Sequence, residues 1–226
     1  MAGDRGHGQR PRRHHESVGW GITVREVLPG VYEWSWFSAE KQIDFNGHFV
    51  VADGGRVLID PPPLTEADRV ELTQQGGPTA IVLTNRDHVR EIAACQSMYG
   101  VPVWVPAADT AWIDVPFDRT YEDGSHLPGG LTAVRVPDAK SPGESALWSA
   151  GQRVLIIGDA AIGKPPGALN MLPDEKFADP AKARAGLRVL LDPRYDYDAV
   201  LVGDGVSLPT GGRAALERLA TAGRVA

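Results

Sequence analysis

The sequence predicts an α/β fold, and three observations carry that expectation. Short apolar strands recur between Pro-Gly, Asn-Gly and Gly-Gly turns. Helical patterns fall between some of those strands. Polar loops follow directly on apolar strands, where α/β folds place ligands. The order is strands, helix, strand, helix, several strands, helix, strand, helix. A four-layer sandwich of two sheets with outer helices meets that order. So does an α/β domain with antiparallel additions, and periodicity does not choose between them.

Thr23–Val27, Val31–Trp36, His48–Ala52 and Arg56–Ile59 read as an opening antiparallel meander, ended by Pro61-Pro62-Pro63. Thr65, with Asp68 three residues on, is a helix N-cap for a helix reaching about Gln74. Ala80–Leu83 is an apolar strand followed by the loop Thr84-Asn85-Arg86-Asp87. A second helix is expected from about His88 to Met98, stopped by Gly100. Val101–Val105 is the next strand, and Ala111, Trp112 and Ile113 lie in a short amphipathic segment. Strands are expected at Leu131–Val136, Ser145–Trp148, Arg153–Ile157 and Ala199–Val202. Helices are expected over 180–191, with Leu187, Leu190 and Leu191 on one face, and over Gly212–Leu219.

At 226 residues the chain can bury roughly three quarters of its unfolded surface, so it needs no staple. No repeat or linker divides it, and a single domain over 18–226 is expected. Residues 1–17 hold four Arg, three His and three Gly with little to bury, and read as a disordered tail. That segment has no apolar core, so a secretory signal is not expected; nor is a membrane span, since no apolar run nears ~20 residues. The expected location is cytoplasmic. One cysteine, Cys95, excludes a disulfide framework and a Cys-cluster zinc site. The net charge of −6 argues against a general nucleic-acid or membrane-surface partner and leaves a small molecule. Oligomeric state is not readable, and the excess of arginine (18) over lysine (5) decides nothing about function at this point. Three of the six histidines, His7, His14 and His15, lie in the tail. Only His48, His88 and His126 remain for the folded part, so a His-rich metal site is hard to build.

Four polar loops follow or precede apolar strands: 84–90, 138–144, Gly158-Asp159 and Gly203-Asp204-Gly205. With Asn46-Gly47-His48-Phe49-Val50-Val51, Val57-Leu58-Ile59-Asp60, Ser141-Pro142-Gly143-Glu144 and Val154 to Asp159, their order resembles the metallo-β-lactamase fold superfamily. The resemblance spans about residues 23–220. It implies an α/β, four-layer αββα sandwich of two mixed sheets with outer helices.

The family's metal motif, His-x-His-x-Asp-His, aligns without a gap on Asn85, Asp87, Val89 and Arg90. A second register keeps Asp87-His88 as the motif's Asp-His, with Asn85 in a histidine's place. The downstream histidine becomes Lys140 and the terminal Gly-His-Gly histidine becomes Asp204; the metal-bridging aspartate stays, as Asp159. Neither a protonated lysine nor an arginine coordinates a metal. The leading expectation is therefore no cofactor. In its place stands a polar cluster in which Asp87, Asp159 and Asp204 pair with Lys140 and Arg90, in a pocket where Arg86, Arg90 and Lys140 hold an anionic small molecule, with Asn85 and His88 among the ligand-binding residues. The rival is a hydrolase of esters, lactones or thioesters with a single divalent metal on the catalytic trio Asp87, Asp159 and Asp204, with or without His88.

Individual residues carry their own expectations. His88 reads as a solvent-facing helix start, His48 as a half-buried structural histidine and His126 as a loop residue. Cys95 reads as a small core residue, and Ser141 has no base in sequence to activate it. Trp34 and Trp36 share one strand face: core packing is the first expectation, an aromatic wall of the pocket the second.

Overall fold

The structure, a computed structural model, describes residues 23–222; the tail expected over 1–17 lies outside them. Two mixed sheets form. The first runs in chain order: β1 (Arg25–Leu28), β2 (Val31–Ser38), β3 (Ile43–Ala52), β4 (Gly55–Ile59), β5 (Ala80–Val82), β6 (Val103–Pro106) and β7 (Arg119–Tyr121). Its first four strands are an antiparallel meander, and β4 to β7 are parallel. The second sheet contains β8 (His126–Leu127), β9 (Leu131–Arg135), β10 (Ser145–Ser149), β11 (Val154–Ile157) and β12 (Ala199–Val202), ordered β12-β11-β10-β9-β8. Only the β11–β12 pair in it is parallel. Among the described residues four α-helices complete the fold: α1 (Glu66–Gln74), α2 (Ile92–Tyr99), α3 (Pro180–Gly186) and α4 (Gly212–Thr221).

Alternation along the strands sorts the core into three layers. Val57 and Ile59 of β4 face Leu147, Ile156 and Leu201 of the second sheet, filling the space between the sheets. Leu58, Ile81 and Val103 point the other way, onto Leu72 of α1 and Ile92 and Cys95 of α2. Leu155, Ile157, Val200 and Val202 cover the opposite face with Leu187, Leu216 and Leu219. The result is the expected αββα sandwich. Among the described residues no helix is long and apolar enough to cross a membrane.

The predicted cap of α1 forms in full. Thr65 Oγ1 accepts from Asp68 N, and Asp68 Oδ2 accepts from Thr65 N at 2.9 Å. The other oxygen, Oδ1, accepts the N–H groups of Thr23 and Val24, so β1 begins at Arg25 and not at Thr23. The helix expected from His88 to Met98 is split. A 3₁₀ turn covers Arg86–His88, the chain turns left-handed at Arg90 (φ 38°), and α2 begins at Ile92. The helix expected over 180–191 is α3, followed by a 3₁₀ segment at Leu187–Leu191. β7 and β8 were not expected: they are two or three residues long, too short to show a period, and His126 lies on β8 and not in a loop.

Candidate functional site

The carboxyl ends of β4, β5, β11 and β12 converge at one edge of the sandwich. They carry Asp60, the 84–90 loop, Asp159 and Asp204; Lys140 joins them from the loop before β10. Asp60 closes β4 with a positive φ of 44° and organises the next loop. Its Oδ1 accepts from Thr84 N at 2.8 Å, and its Oδ2 lies 2.8 Å from His88 Nδ1. Asn85 is buried and receives Asp87 N at 2.8 Å, which tightens the 3₁₀ turn. The turn delivers Asp87, His88 and Arg90 toward the edge.

His88 is buried and not solvent-facing: 3% of it is exposed, which overturns the expectation for this residue. Nδ1 faces Asp60, and Nε2 lies 3.4 Å from Asp159 Oδ1. Burial and the neighbouring Arg90 push its pKa down, but Asp60 and Asp159 outweigh them and raise it to about 10. With a carboxylate at each nitrogen, both ring nitrogens carry protons. Room for the ring depends on Gly203, where an added Cβ would lie 2.5 Å from His88 Cε1.

Lys140 Nζ donates to Asp159 Oδ2 at 2.6 Å and lies 3.0 Å from Asp87 Oδ2. Burial opposes its charge, but Asp159 and Asp87 raise its pKa overall. Burial likewise opposes ionisation of Asp159, yet His88 and Lys140 hold that carboxyl well below the usual range. Arg90 fixes the other half of the edge. Nη1 donates to Asn46 O (2.8 Å) and Asp60 O (3.2 Å), and Nη2 donates to Gly203 O (3.2 Å) and Asp204 Oδ1 (2.7 Å). Its guanidinium also sits 4.7 Å from the Phe45 ring centroid. Burial raises the pKa of Asp204 although His88 and Arg90 pull it down. Beneath this layer Glu144 is fully buried with Oε2 unpartnered among the described residues; burial and then Asp159 push its carboxyl well above the usual range.

His88, Asp159 and Asp204 each bring one ligand atom within 4.8 Å of the others, and among the described residues they are the one such group. The set expected in the rival reading was Asp87, Asp159 and Asp204, with or without His88; the group that the structure brings together differs from it at one place. Asp87 drops out, with its side chain 39% exposed and turned to Lys140, and His88 takes part. A zinc site needs neutral imidazole and free carboxylate oxygens. Here both His88 nitrogens and both Asp159 oxygens are engaged, and Asp204 Oδ1 is held by Arg90. Arranged this way, the residues present do not fit the family's zinc ions.

A cavity of about 560 Å³ opens over this layer. Asp87, His88, Arg90, Lys140, Asp159 and Asp204 form its floor, Ile43, Phe45, Ile162, Leu172 and Pro173 its walls, and Lys41, Lys164 and Lys176 complete it. Four expected pocket residues, Asn85, Arg86, Trp34 and Trp36, are not among those lining the cavity; Asn85 is buried in the 3₁₀ turn that it tightens. Arg86 stacks 4.6 Å from the Trp112 ring centroid while its N–H donates to Asp109, so its charge leaves the cavity. Trp34 is buried in the layer under α1 and α2, opposite Gly47 on β3. Trp36 is 43% exposed and packs behind Phe45, ring centroids 5.9 Å apart, so Phe45 supplies the aromatic wall. Asp60, Phe45 and the three outer lysines were missed. Asp60 had a visible signal in its place after Val57-Leu58-Ile59, and the lysines had one in their scarcity.

The remaining singled-out residues are structural. His48 is fully buried with Nε2 3.3 Å from Glu33 Oε2; burial works against the Glu33 charge, but His48 and Ser207 bring its pKa down to about 2. Ser141 donates to Asp109, and burial pushes the Cys95 thiol up to about 12, as a core cysteine requires.

An αββα sandwich with a polar site at the carboxyl ends of its strands defines the class. The model of the metallo-β-lactamase superfamily matches residues 26–223, and the chain belongs to that superfamily. Among solved structures it is similar to the DIM-1 metallo-β-lactamase exposed to ceftazidime, with a TM-score of 0.69 and 13% identity over 88% of this chain and 94% of that one. It is similar to a metallo-β-lactamase from Pontibacter korlensis (TM-score 0.65, 20% identity, 86% and 98% covered). It is also similar to the mono-zinc form of FIM-1 from Pseudomonas aeruginosa (TM-score 0.66, 13% identity, 88% and 96% covered). At such identities the likeness shows the fold. No curated protein matches the chain.

Proposed function

We propose that this chain is a metal-free member of the superfamily whose cavity binds an anionic small molecule. The observation that carries the reading is the pairing of Lys140 with Asp159 and Asp87, and of Arg90 with Asp204, at positions the resemblance gives to metal ligands. Three protein cations, Lys140, Arg90 and His88, stand in for the charge that metal ions supply elsewhere in the fold. They neutralise the carboxylates without offering an open coordination position. Counting Asp60 beneath the floor, the cavity has six cations against four carboxylates, a positive surplus in a chain of net charge −6. Such a surplus in a concave, partly apolar site favours an anion.

The rival reading, a hydrolase of esters, lactones or thioesters using one metal, draws its support from the clustering of His88, Asp159 and Asp204. It requires the metal to displace protons and cations already in place. Thermal melting with and without chelator, and with carboxylates and phosphates against neutral analogues, separates the two. The proposal expects no shift on chelation and stabilisation by the anions alone. A melting temperature that falls on chelation and returns with one divalent ion would favour the hydrolase.

A further inference from the structure

Four of the chain's five lysines line one cavity, in a protein that otherwise uses arginine for its basic positions. Lys140 is committed to the floor. The other three, Lys41, Lys164 and Lys176, are exposed and pair with none of the floor's carboxylates. Among the described residues Lys41 pairs only with its neighbour Glu40, at 2.9 Å with both side chains mostly in solvent, a contact that water and salt weaken. Lys164 Nζ donates to Gln42 O at 2.9 Å, which ties the loop after β11 to the turn that carries Lys41. Lys176 makes no ion pair among the described residues. The fifth lysine, Lys182, lies outside the cavity beside Asp179.

The charge is layered. On the floor, three cations face the four carboxylates of Asp60, Asp87, Asp159 and Asp204, so the floor gives an anion no net attraction. The surplus positive charge sits with the outer lysines. The walls carry apolar side chains, with Ile43 and Phe45 two residues apart on one strand face opposite Leu172 and Ile162 of the later loop. A ligand that satisfies both layers has an apolar body inside and its charge outside. Three flexible ammonium groups suit a phosphate monoester, which carries nearly two charges and three strong acceptor oxygens, better than a carboxylate. Lysine serves phosphate as a compact point charge without the fixed fork that arginine imposes.

We propose that the cavity takes an amphipathic phosphate monoester, its phosphate on Lys41, Lys164 and Lys176 and its apolar body between Phe45 and Leu172. This inference rests on the anion-pocket reading above and narrows it to one ligand class and one orientation.

Calorimetric titration of the full-length protein tests it, with octyl phosphate below its micelle concentration, octanoate, inorganic phosphate and octanol as probes. Octyl phosphate is expected to bind at least about tenfold more tightly than each of the other three, and less tightly as salt rises. The double variant Lys164→Ala/Lys176→Ala is expected to lose about tenfold or more for octyl phosphate. Lys182→Ala, which removes the same charge elsewhere, is expected to lose nothing. Equal affinity for octanoate would overturn the phosphate assignment and leave the anion pocket standing. Equal affinity for inorganic phosphate would overturn the apolar body. Binding of none of the anions would overturn this inference and the pocket reading together. Sedimentation with phosphatidate vesicles without binding of octyl phosphate would also overturn it, assigning the lysines to a lipid surface.

Discussion

Lys140 Nζ lies 2.6 Å from Asp159 Oδ2; the resemblance matches the first to a family histidine and the second to the metal-bridging aspartate, so in the proposed reading an ammonium is bonded where a metal would be. The ammonium does locally what a metal would do electrostatically: it lets a nearly buried carboxylate stay ionised. An ammonium brings no Lewis acidity of its own.

Removing that ammonium leaves Asp159 with half its charged partners and the Asp87 carboxylate with none among the described residues. Lys140→Ala is expected to lower the unfolding free energy by about 1–3 kcal/mol, since a buried carboxylate loses its counter-charge. The same variant is expected to regain melting temperature on addition of millimolar Mn²⁺ or Zn²⁺, and no such rise is expected for the original protein. Urea denaturation and melting curves with each ion check both parts. A variant as stable as its parent would contradict the electrostatic role.

Arg90 bonds to Asn46 O, Asp60 O, Gly203 O and Asp204 Oδ1, joining β3, β4 and the end of β12. Arg90→Met is expected to cost about 3 kcal/mol, because it strands the buried Asp204 carboxylate and takes a donor from three carbonyls, of which Gly203 O keeps Asn46 N. Arg90→Lys keeps the charge but not the fork, and is expected to recover less than half of that loss. Full recovery with lysine would show that charge alone matters.

The His88 imidazole faces Asp60 and Asp159, with Arg90 from its own loop nearby and Glu144 below. Its pKa rises from the usual 6.5 to about 10 in the folded protein. The stabilisation linked to its proton is therefore complete below about pH 6.5 and disappears as pH climbs through about 10. Asp159 acts in the other direction: its pKa is lowered, so its contribution is present above the usual 3.8 and is lost as pH falls below that. Stability is expected to be highest between these limits. From pH 6 to 9.5 it is expected to drop by on the order of 2–4 kcal/mol, and His88→Asn is expected to flatten that slope. Denaturation curves across this range measure it, and an equal slope in the variant would assign the drop to other groups.

Gly203→Ala would place a methyl 2.5 Å from His88 Cε1. The ring must shift and loosen its contacts with Asp60 and Asp159, at an expected cost of about 1–3 kcal/mol. The imidazole proton resonances, followed by NMR, are expected to move toward those of an ordinary histidine. Unchanged resonances would mean the site accommodates the methyl elsewhere.

Much of the fold was legible because its determinants are local. Thr65 and Asp68 announce α1, and Val57-Leu58-Ile59 and Val154 to Ile157 announce buried strands. The site was legible where loop order carries it, as at Asp159, Asp204, Lys140 and Arg90. It was not legible where a residue's setting depends on distant chain. His88 looks like a helix start until Asp60 and Gly203 enclose its ring. The left-handed turn at Arg90 follows from contacts with Asn46 and Asp204, far away in sequence. The small lysine count decided nothing by itself, and gained meaning only when three separate connections, those after β2, β9 and β11, met at one cavity.

The central claim is that Lys140, Arg90 and His88 occupy, as fixed cations, the place of metal ions. Elemental analysis tests it most directly, on full-length protein with His7, His14 and His15 changed to alanine so that the tail cannot hold adventitious metal. After purification without chelator and dialysis against zinc and manganese, less than about 0.1 equivalent of metal per chain is expected. One equivalent or more, lost in Asp159→Ala, would contradict the claim.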